Sequence, residues 1–339
     1  MKFETGLSRR RFVQSAAAAA AVPFAGPLSP AFAQAAKINI VNTQGMATLT
    51  VQEVMKRRGY LAEFGVEANI TYVADAAKLM GSLISGESDI CMFSGIGSVL
   101  TAIERGGKIK LVAGSLVKLE HAVYTKRAEI RSVKDLEGKT LGAGSTGSLT
   151  HVMMVALLRK YGVDEKKVQF VNVGGTPDIF RAVAAGIVDA GISEIDVYNQ
   201  QEKFGVHVIK EGDLWTELPA FTFQGAYASE KAIKEKRDSL VKTLAAYGKL
   251  YRYLSSPESE QTYVSSQVAA AGKPVDESAR WQWKFFQEKK IYATELVLSE
   301  ERIKYMQELQ VSLGIQRRVV PYEDVTDSSI ARDALKLIG

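Results

Sequence analysis

The sequence predicts an α/β protein made of two similar blocks, each with a mostly parallel sheet flanked by helices. Short apolar runs alternate along the chain with helical patterns, which is typical of parallel sheets covered on both faces. The 339 residues are 46% hydrophobic and 24% charged, an ordinary balance for a globular protein with a substantial core. This length favours about two domains.

In the first block, the opening strand leads into the loop Asn42–Thr48, and a helix follows as far as Gly59. The helix that ends at Gly86 repeats apolar residues at spacings of three and four, the pattern of one buried face. Another helix reaches Glu104. The strands of this block are expected at Ile38–Val41, Ile70–Val73, Asp89–Phe93 and Leu111–Leu116.

The second block begins near Ser132 and repeats the alternation. One helix follows Ser148, and another is capped by Thr176 with Pro177 in its first turn, a position that proline tolerates. The pattern is irregular from Glu194 to Pro219. The strands are expected at Lys139–Gly142, Val168–Val173 and Val188–Ile192, followed by an extended segment at Phe221–Tyr227.

From Ser229 onward the chain is predicted to be helical, with a tail of mixed pattern at Val319–Gly339, and this C-terminal helical run suggests a return to the first lobe. We therefore expect residues 34–125 plus 225–339 to form one lobe and residues 126–224 to form the other. The helices are expected at Ser229–Leu254, Ser259–Ala270, Asp276–Lys289 and Ser299–Leu313.

Residues 1–33 read as a cleaved export signal of the twin-arginine type. Arg9, Arg10 and Arg11 precede a short apolar, alanine-rich run, and Ala31-Phe32-Ala33 supplies a small-x-small cleavage site. No later run is long enough for a membrane span, so stable membrane insertion is not expected. The signal predicts a periplasmic protein.

Charge and cysteine content exclude several classes of partner. The chain has 43 Lys and Arg against 38 Asp and Glu, and the signal contains four of the basic residues, so nothing favours nucleic acid. Cys91 is the single cysteine, which excludes disulfides and a thiolate zinc site. None of the three histidines has a metal-ligand spacing. We therefore expect no metal and no catalytic residues.

Residues 142–147 read Gly-Ala-Gly-Ser-Thr-Gly, a literal match to the dinucleotide-binding fingerprint. That motif also requires an acidic residue after the next strand, where this chain has Gly174-Gly175. A bound dinucleotide is therefore disfavoured, and no cofactor is expected. The turn either offers its backbone N–H groups to a polar ligand or caps only its own helix.

Several corners where a strand ends and a helix starts are candidate ligand contacts, because open α/β sheets bind ligands beyond the carboxyl ends of their strands. Glu194, after the last strand of the second block, could accept a hydrogen bond from a ligand donor, or it could be a solvated loop charge. The candidate ligand-binding residues are Thr43, Gln44, Ser94, Gly95, Ser145, Thr146, Gly147, Ser148, Thr176 and Glu194.

Three segments resemble the bacterial periplasmic solute-binding proteins of ABC transporters, in the nitrate, sulfonate, taurine and thiamine-precursor group. They are Gly86–Ile90 with Ser94-Gly95, then Leu136–Gly142 with Ser145, and Arg181–Ala190. The resemblance implies a type II periplasmic binding fold, a two-lobed clamshell that closes on its ligand. It places pocket roles at Thr43-Gln44, Ser94-Gly95, Ser145–Ser148 and Glu194.

The resemblance also implies a function, a monomeric receptor that delivers a small polar organic solute to an inner-membrane ABC permease. No arginine stands at a cleft corner, which disfavours strongly anionic ligands such as sulfonate or nitrate. Two alternatives remain open. The chain could serve a tripartite, ion-driven (TRAP-type) transporter, or it could be an enzyme acting on a pyrimidine-like substrate, as in a eukaryotic branch that this family resembles.

Overall fold

The computed structural model describes residues 36–73 and 76–339, so the expected export signal at 1–33 lies outside the described residues. Over those two ranges, no helix is both long and apolar enough to cross a bilayer. In chain order, the strands of the described residues are β1 (Ala36–Thr43), β2 (Val66–Val73), β3 (Ile90–Gly95), β4 (Ile109–Gly114), β5 (His121–Thr125), β6 (Thr140–Ala143), β7 (Gln169–Asn172), β8 (Ala190–Glu194), β9 (His207–Asp213) and β10 (Gln224–Ser229).

These strands form two sheets of five. The first has the order β2-β1-β3-β10-β4, and the second has the order β7-β6-β8-β5-β9. Strand β1 is parallel to β2 and β3, and strand β6 is parallel to β7 and β8. In contrast, β10 is antiparallel to β3 and β4, and β5 is antiparallel to β8 and β9. We call the first sheet, with the helices packed on it, the first lobe, and we call the second sheet, with its helices, the second lobe. The predicted α/β fold class is confirmed.

Helices cover both sheets. Two of them end at Gly59 and Gly186, which adopt φ of 66° and 74°, a left-handed conformation that favours glycine. In the described residues the helices are α1 (Met46–Arg58), α2 (Tyr60–Glu63), α3 (Ala76–Ser85), α4 (Ile96–Glu104), α5 (Leu149–Lys160), α6 (Thr176–Ala185), α7 (Gln201–Phe204), α8 (Leu214–Glu217), α9 (Glu230–Glu235), α10 (Arg237–Leu254), α11 (Glu260–Ala271), α12 (Asp276–Lys289), α13 (Glu300–Ser312), α14 (Tyr322–Val325) and α15 (Ser328–Ile338).

The C-terminal helices pack mainly on the first lobe. Helix α11 lies against α1, α10 packs against α15, and α15 contacts β4. Helix α12 also reaches the second lobe, where Trp281 stacks on Tyr198 with ring centroids 5.4 Å apart. This stack is therefore an aromatic contact between the lobes.

The chain passes between the lobes through two crossing segments, residues 115–120 and 218–223. They are held side by side, because the Ser115 N–H donates to the Gln224 carbonyl at 3.2 Å and the Gln224 N–H donates to the Leu116 carbonyl at 2.9 Å. A later segment of the chain also pairs with the first crossing segment, because the Val117 N–H donates to the Ile291 carbonyl at 2.9 Å. The connection between the lobes therefore consists of backbone segments that are hydrogen-bonded to one another.

Several elements differ from the sequence-based expectation. Strand β5 lies within the range expected for the first lobe, yet it pairs in the second sheet, and β9 occupies the stretch that looked irregular. The helix expected at Ser229–Leu254 is interrupted at Lys236, whose ammonium pairs with the buried Asp89 at 2.8 Å. Thr176 is the first helical residue of α6, and its N-cap is Gly175.

Candidate functional site

A cavity of about 390 Å³ lies between the lobes, and we call it the interlobe cavity. It lies beyond the carboxyl ends of β1 and β3 and beside the loop after β6, where α/β sheets place their ligands. From the first lobe it is lined by Thr43, Ser94, Gly95, Gly97, Ser98 and Thr101.

The first-lobe wall is held by a side chain between two strand ends. The Asn42 Oδ1 accepts the N–H groups of Met92 and Phe93, both at 3.0 Å, and the Thr43 hydroxyl donates to the Phe93 carbonyl at 3.0 Å. These bonds fix the end of β1 against the end of β3. Thr43 is consequently held beside Ser94 at the cavity.

Three hydroxyl groups on this wall donate hydrogen bonds to carbonyl groups of the protein itself. In addition to Thr43, Ser98 donates to the Gly95 carbonyl and Thr101 to the Gly97 carbonyl, each at 3.1 Å. A hydroxyl whose proton is already donated can offer only lone pairs to a ligand. The wall therefore presents hydrogen-bond acceptors.

The second-lobe wall comes from the glycine-rich turn and α5, through Gly147, Ser148, Leu149 and Val152. Much of this turn bonds to itself. Ser148 N-caps α5, its N–H donates to the Ser145 carbonyl at 2.8 Å, and the Gly144 N–H donates to the Thr150 hydroxyl at 2.9 Å. Of the two interpretations of this motif, these contacts favour a cap for its own helix.

Two further walls were not foreseen from the sequence as contacts. The crossing segment and the start of β10 contribute Phe221, Thr222, Phe223 and Gln224. Nothing in the local sequence pattern marks Thr222 or Gln224 as a contact. Across the cavity lie Met306 and Gln310 of α13, together with Ile315. These residues are distant in sequence, so only the tertiary fold brings them to the cavity.

Two buried oxygens on the crossing wall have no partner within the described residues. They are the Thr222 Oγ1, on a residue that is fully buried, and the Gln224 Oε1. Buried polar atoms in native proteins nearly always have a hydrogen-bond partner. These atoms are therefore candidate contacts for a bound molecule.

Thr176 and Glu194 lie elsewhere. They line a separate second-lobe cavity of about 320 Å³, together with Phe180, Ser193 and Asp196, and this cavity shares no lining residue with the interlobe cavity. The Thr176 hydroxyl donates to the Glu194 Oε1 at 3.0 Å. Burial, and then the charge of Asp196, raise the pKa of Glu194 to about 7, against that hydrogen bond.

The ten candidate residues thus divide into three sets. Five of them line the interlobe cavity, namely Thr43, Ser94, Gly95, Gly147 and Ser148. Two line the second-lobe cavity, and neither cavity is lined by Gln44, Ser145 or Thr146. Gln44 instead extends the strand pairing, with its N–H bonded to the Val73 carbonyl at 3.0 Å.

A buried acid and a buried histidine at the start of β5 were also not foreseen. Burial raises the pKa of Glu120 well above its usual range, and the nearby Glu194 and Asp196 raise it further. Burial lowers the pKa of His121 to about 3, so its ring is neutral at physiological pH. Both side chains lie at the junction between the crossing segment and the second lobe.

Cys91 is fully buried on β3, and burial raises the pKa of its thiol to about 12. Such a thiol is a small apolar core group rather than a nucleophile. Within residues 36–73 and 76–339, no cluster of three or more His, Cys, Asp or Glu side chains could hold a metal ion.

Solved structures share this fold over most of the chain. The alkanesulfonate-binding protein SsuA of Xanthomonas axonopodis pv. citri, bound to MOPS, is 16% identical with a TM-score of 0.70, covering 87% of this chain and 99% of its own. The periplasmic aliphatic sulphonate binding protein SsuA of Escherichia coli is 16% identical with a TM-score of 0.69, over 86% and 92%. The desulfurization enzyme DSZB is 13% identical with a TM-score of 0.64, over 88% and 99%.

At these identities the likeness establishes the fold, that of the periplasmic binding proteins. No curated protein matches the sequence. The family model described as NMT1/THI5 like matches residues 50–260, which is more than half of the chain and includes most strands of both sheets. The chain therefore belongs to the NMT1/THI5-like family.

Proposed function

We propose that this chain is the solute-binding receptor of an ABC importer, and that it captures a small organic molecule in the interlobe cavity. The observation that carries the proposal is the composition of the cavity walls. Thr43 and Ser94 come from the first lobe, Ser148 from the second, and Thr222 from the segment between them. A molecule bound there contacts both lobes and the connection between them.

Such contacts favour closure of the lobes. A ligand shifts an equilibrium toward the state in which it makes better contacts, and hinge closure around ligands is an established mode of domain motion. The paired crossing segments are the proposed hinge, because the backbone bond between Ser115 and Gln224 holds them together where they leave the first lobe. The permease then recognises the closed, loaded form.

The proposal includes export to the periplasm. Residues 1–33 contain the paired arginines, the apolar run and the cleavage site expected of a twin-arginine signal. The proposed partner is an inner-membrane ABC permease, and the receptor acts as a monomer. The alkanesulfonate-binding SsuA of Xanthomonas axonopodis pv. citri and the periplasmic aliphatic sulphonate binding SsuA of Escherichia coli support this assignment at the level of the fold.

An enzyme is the second candidate, because the fold is shared with the desulfurization enzyme DSZB. The interlobe cavity favours binding over chemistry. Its described walls offer hydroxyl, amide and apolar groups, and general acid–base or nucleophilic catalysis needs a titratable or activated group at the substrate. The only cysteine of the sequence, Cys91, is buried in the core.

The test is a binding screen of the purified protein by thermal shift and tryptophan fluorescence. A ligand at 100 times its Kd stabilises the protein by about 2.7 kcal/mol, which raises the Tm by roughly 5–11 °C, at about 2–4 °C per kcal/mol for 150–250 residues. Closure would also change the fluorescence of Trp281, which stacks on Tyr198 of the other lobe. We expect the ligand to be recovered chemically unchanged.

The matched variants are Thr222→Val, inside the interlobe cavity, and Thr216→Val, on an exposed residue of α8. The first should weaken the best ligand and the second should not. Conversion of the ligand into a product would establish the enzyme instead. A screen in which no solute alters either signal would contradict the receptor assignment.

A further inference from the structure

The described residues that line the interlobe cavity are electrically neutral. None of the described residues that line it is Asp, Glu, Lys, Arg or His. Its largest groups are apolar, namely Leu149, Val152, Phe221, Phe223, Met306 and Ile315. Burying a charged group without a counter-charge costs far more free energy than burying a neutral one. This cavity therefore disfavours a ligand with a full charge.

Helix N-termini are the usual substitute for a cationic side chain at an anion site, and here both adjacent termini are occupied by protein groups. At α5, the Ser148 N–H and the Gly147 N–H donate to the Ser145 carbonyl and to the His151 ring. At α4, the Gln310 carboxamide covers the first turn, because a Cβ built on Gly97 would meet the Gln310 Nε2 at 2.6 Å. At α5 the first-turn N–H of His151 is also taken, by the Ser148 hydroxyl, and at α4 an anion would have to share its space with the Gln310 carboxamide.

Several polar groups on the walls can only accept a hydrogen bond from a ligand. The hydroxyls of Thr43, Ser98 and Thr101 donate their protons to backbone carbonyls, which leaves lone pairs for a ligand. The buried oxygens of Thr222 and Gln224 have no partner within the described residues. A carboxylate or sulfonate would set its own lone pairs against the Gln224 Oε1 and against the hydroxyls whose protons are already donated, whereas an N–H or O–H group would bond to them. The Thr222 hydroxyl can accept or donate.

From this juxtaposition of neutral apolar walls and unpaired buried oxygens, we infer that the ligand is an uncharged, ring-sized molecule that donates a hydrogen bond. Amides, phenols and heteroaromatic N–H compounds belong to this class. The volume is adequate, since about 390 Å³ exceeds the roughly 150 Å³ of a cavity that holds benzene. The inference rests on the proposed receptor function and specifies its substrate class.

The test compares probes that share a carbon skeleton and differ in charge and donors. Benzamide is uncharged and donates, acetophenone is uncharged without a donor, benzoate is an anion, and benzylamine is a cation at neutral pH. The corresponding acetamide, acetate, methanesulfonate and ethylamine set repeats the comparison on small aliphatic skeletons. Affinities are measured by calorimetry and by tryptophan fluorescence.

We expect the amide of a set to bind at least tenfold more tightly than its carboxylate, sulfonate or amine. Thr222→Val should weaken amide binding about fivefold, the effect of one neutral hydrogen bond, and in the parent protein benzamide should bind more tightly than acetophenone, which has no donor. Ser98→Ala is a second variant that tests the opposite wall, and alanine suits its helical position. Thr216→Val is the surface control for both.

The outcomes separate the two proposals. Tighter binding of a carboxylate, sulfonate or amine would overturn the neutral-ligand inference and leave the receptor function supported. Equal affinities of benzamide and acetophenone for the parent protein would also overturn it, because the donor of the amide would then contribute nothing to binding. Failure of every probe class to bind or to change the fluorescence would contradict the receptor function itself.

Discussion

The carboxyl group of Glu194 should make the stability of this protein depend on pH, and Glu194→Gln tests it. The side chain lies between Thr176, which donates to it at 3.0 Å, and Asp196. Burial and the neighbouring carboxylate raise its pKa from 4.5 to about 7. The folded protein therefore holds a proton between these two pH values that the unfolded chain releases.

The sign and the size of the effect follow from linkage. Because the pKa of Glu194 is higher in the folded state, its stabilising contribution is complete below pH 4.5 and is lost as the pH rises through about 7. Between pH 5 and pH 8 the loss is about 2–3 kcal/mol, at 1.36 kcal/mol for each pKa unit. Glutamine has nearly the same shape and does not titrate. The Glu194→Gln protein should therefore be more stable than the parent at pH 8 by about this amount and should differ little at pH 5.

The assay is urea unfolding of both proteins at pH 5 and pH 8, with Glu202→Gln as the control on an exposed residue of the same lobe. The control should retain the pH dependence of the parent. The reasoning would be refuted if Glu194→Gln lost as much stability as the parent between the two pH values. Such a result would mean that Glu194 is hydrated in the folded protein.

Three further predictions concern packing, capping and the thiol. Gly191→Ala should destabilise the second lobe by about 1–3 kcal/mol in urea unfolding, because the new Cβ would press on Ile179 and lie 3.2 Å from the Gly142 carbonyl; an unchanged midpoint would contradict this packing. Ser148→Ala should lower stability by about 1 kcal/mol through loss of the α5 N-cap, and the absence of any loss would mean that the cap contributes nothing. Cys91 should resist a disulfide reagent in the native protein and react after denaturation, because it is buried; rapid native reaction would show that the thiol is accessible.

The sequence predicted the elements whose patterns are local. The bounds of α12 agree with the expectation, and most strands of the two sheets differ from it by a few residues. Strand β5 was missed because all five of its residues are buried, so no alternation marks it. Strand β9 mixes charged and apolar residues and ends in Gly212-Asp213, a composition that also suits a loop. Both strands exist because antiparallel pairing in the second sheet stabilises them.

The candidate site was predictable to a similar extent. The strand-end rule grouped Thr43, Ser94 and Ser148, because parallel strands place their carboxyl ends at the same edge, and in the structure all three line one cavity. The same rule grouped Glu194 with them, and the structure assigns it to a different cavity. The position of a residue along its strand predicts the sheet edge at which the residue lies. It does not predict the distance between that residue and the residues at the ends of other strands. The wall at Met306 depends on how α13 packs, which no local pattern encodes.

The pairing of the crossing segments has a consequence for how the chain could be rebuilt. Because the Ser115 N–H and the Gln224 carbonyl are bonded at 3.2 Å, the polypeptide leaves for the second sheet and comes back at nearly the same point. The residues between Ser115 and Gln224 include the strands of the second sheet, and the two ends of this stretch are already adjacent. A short turn could join those ends with little loop-closure entropy, so a shortened chain should retain the first sheet as an independent scaffold.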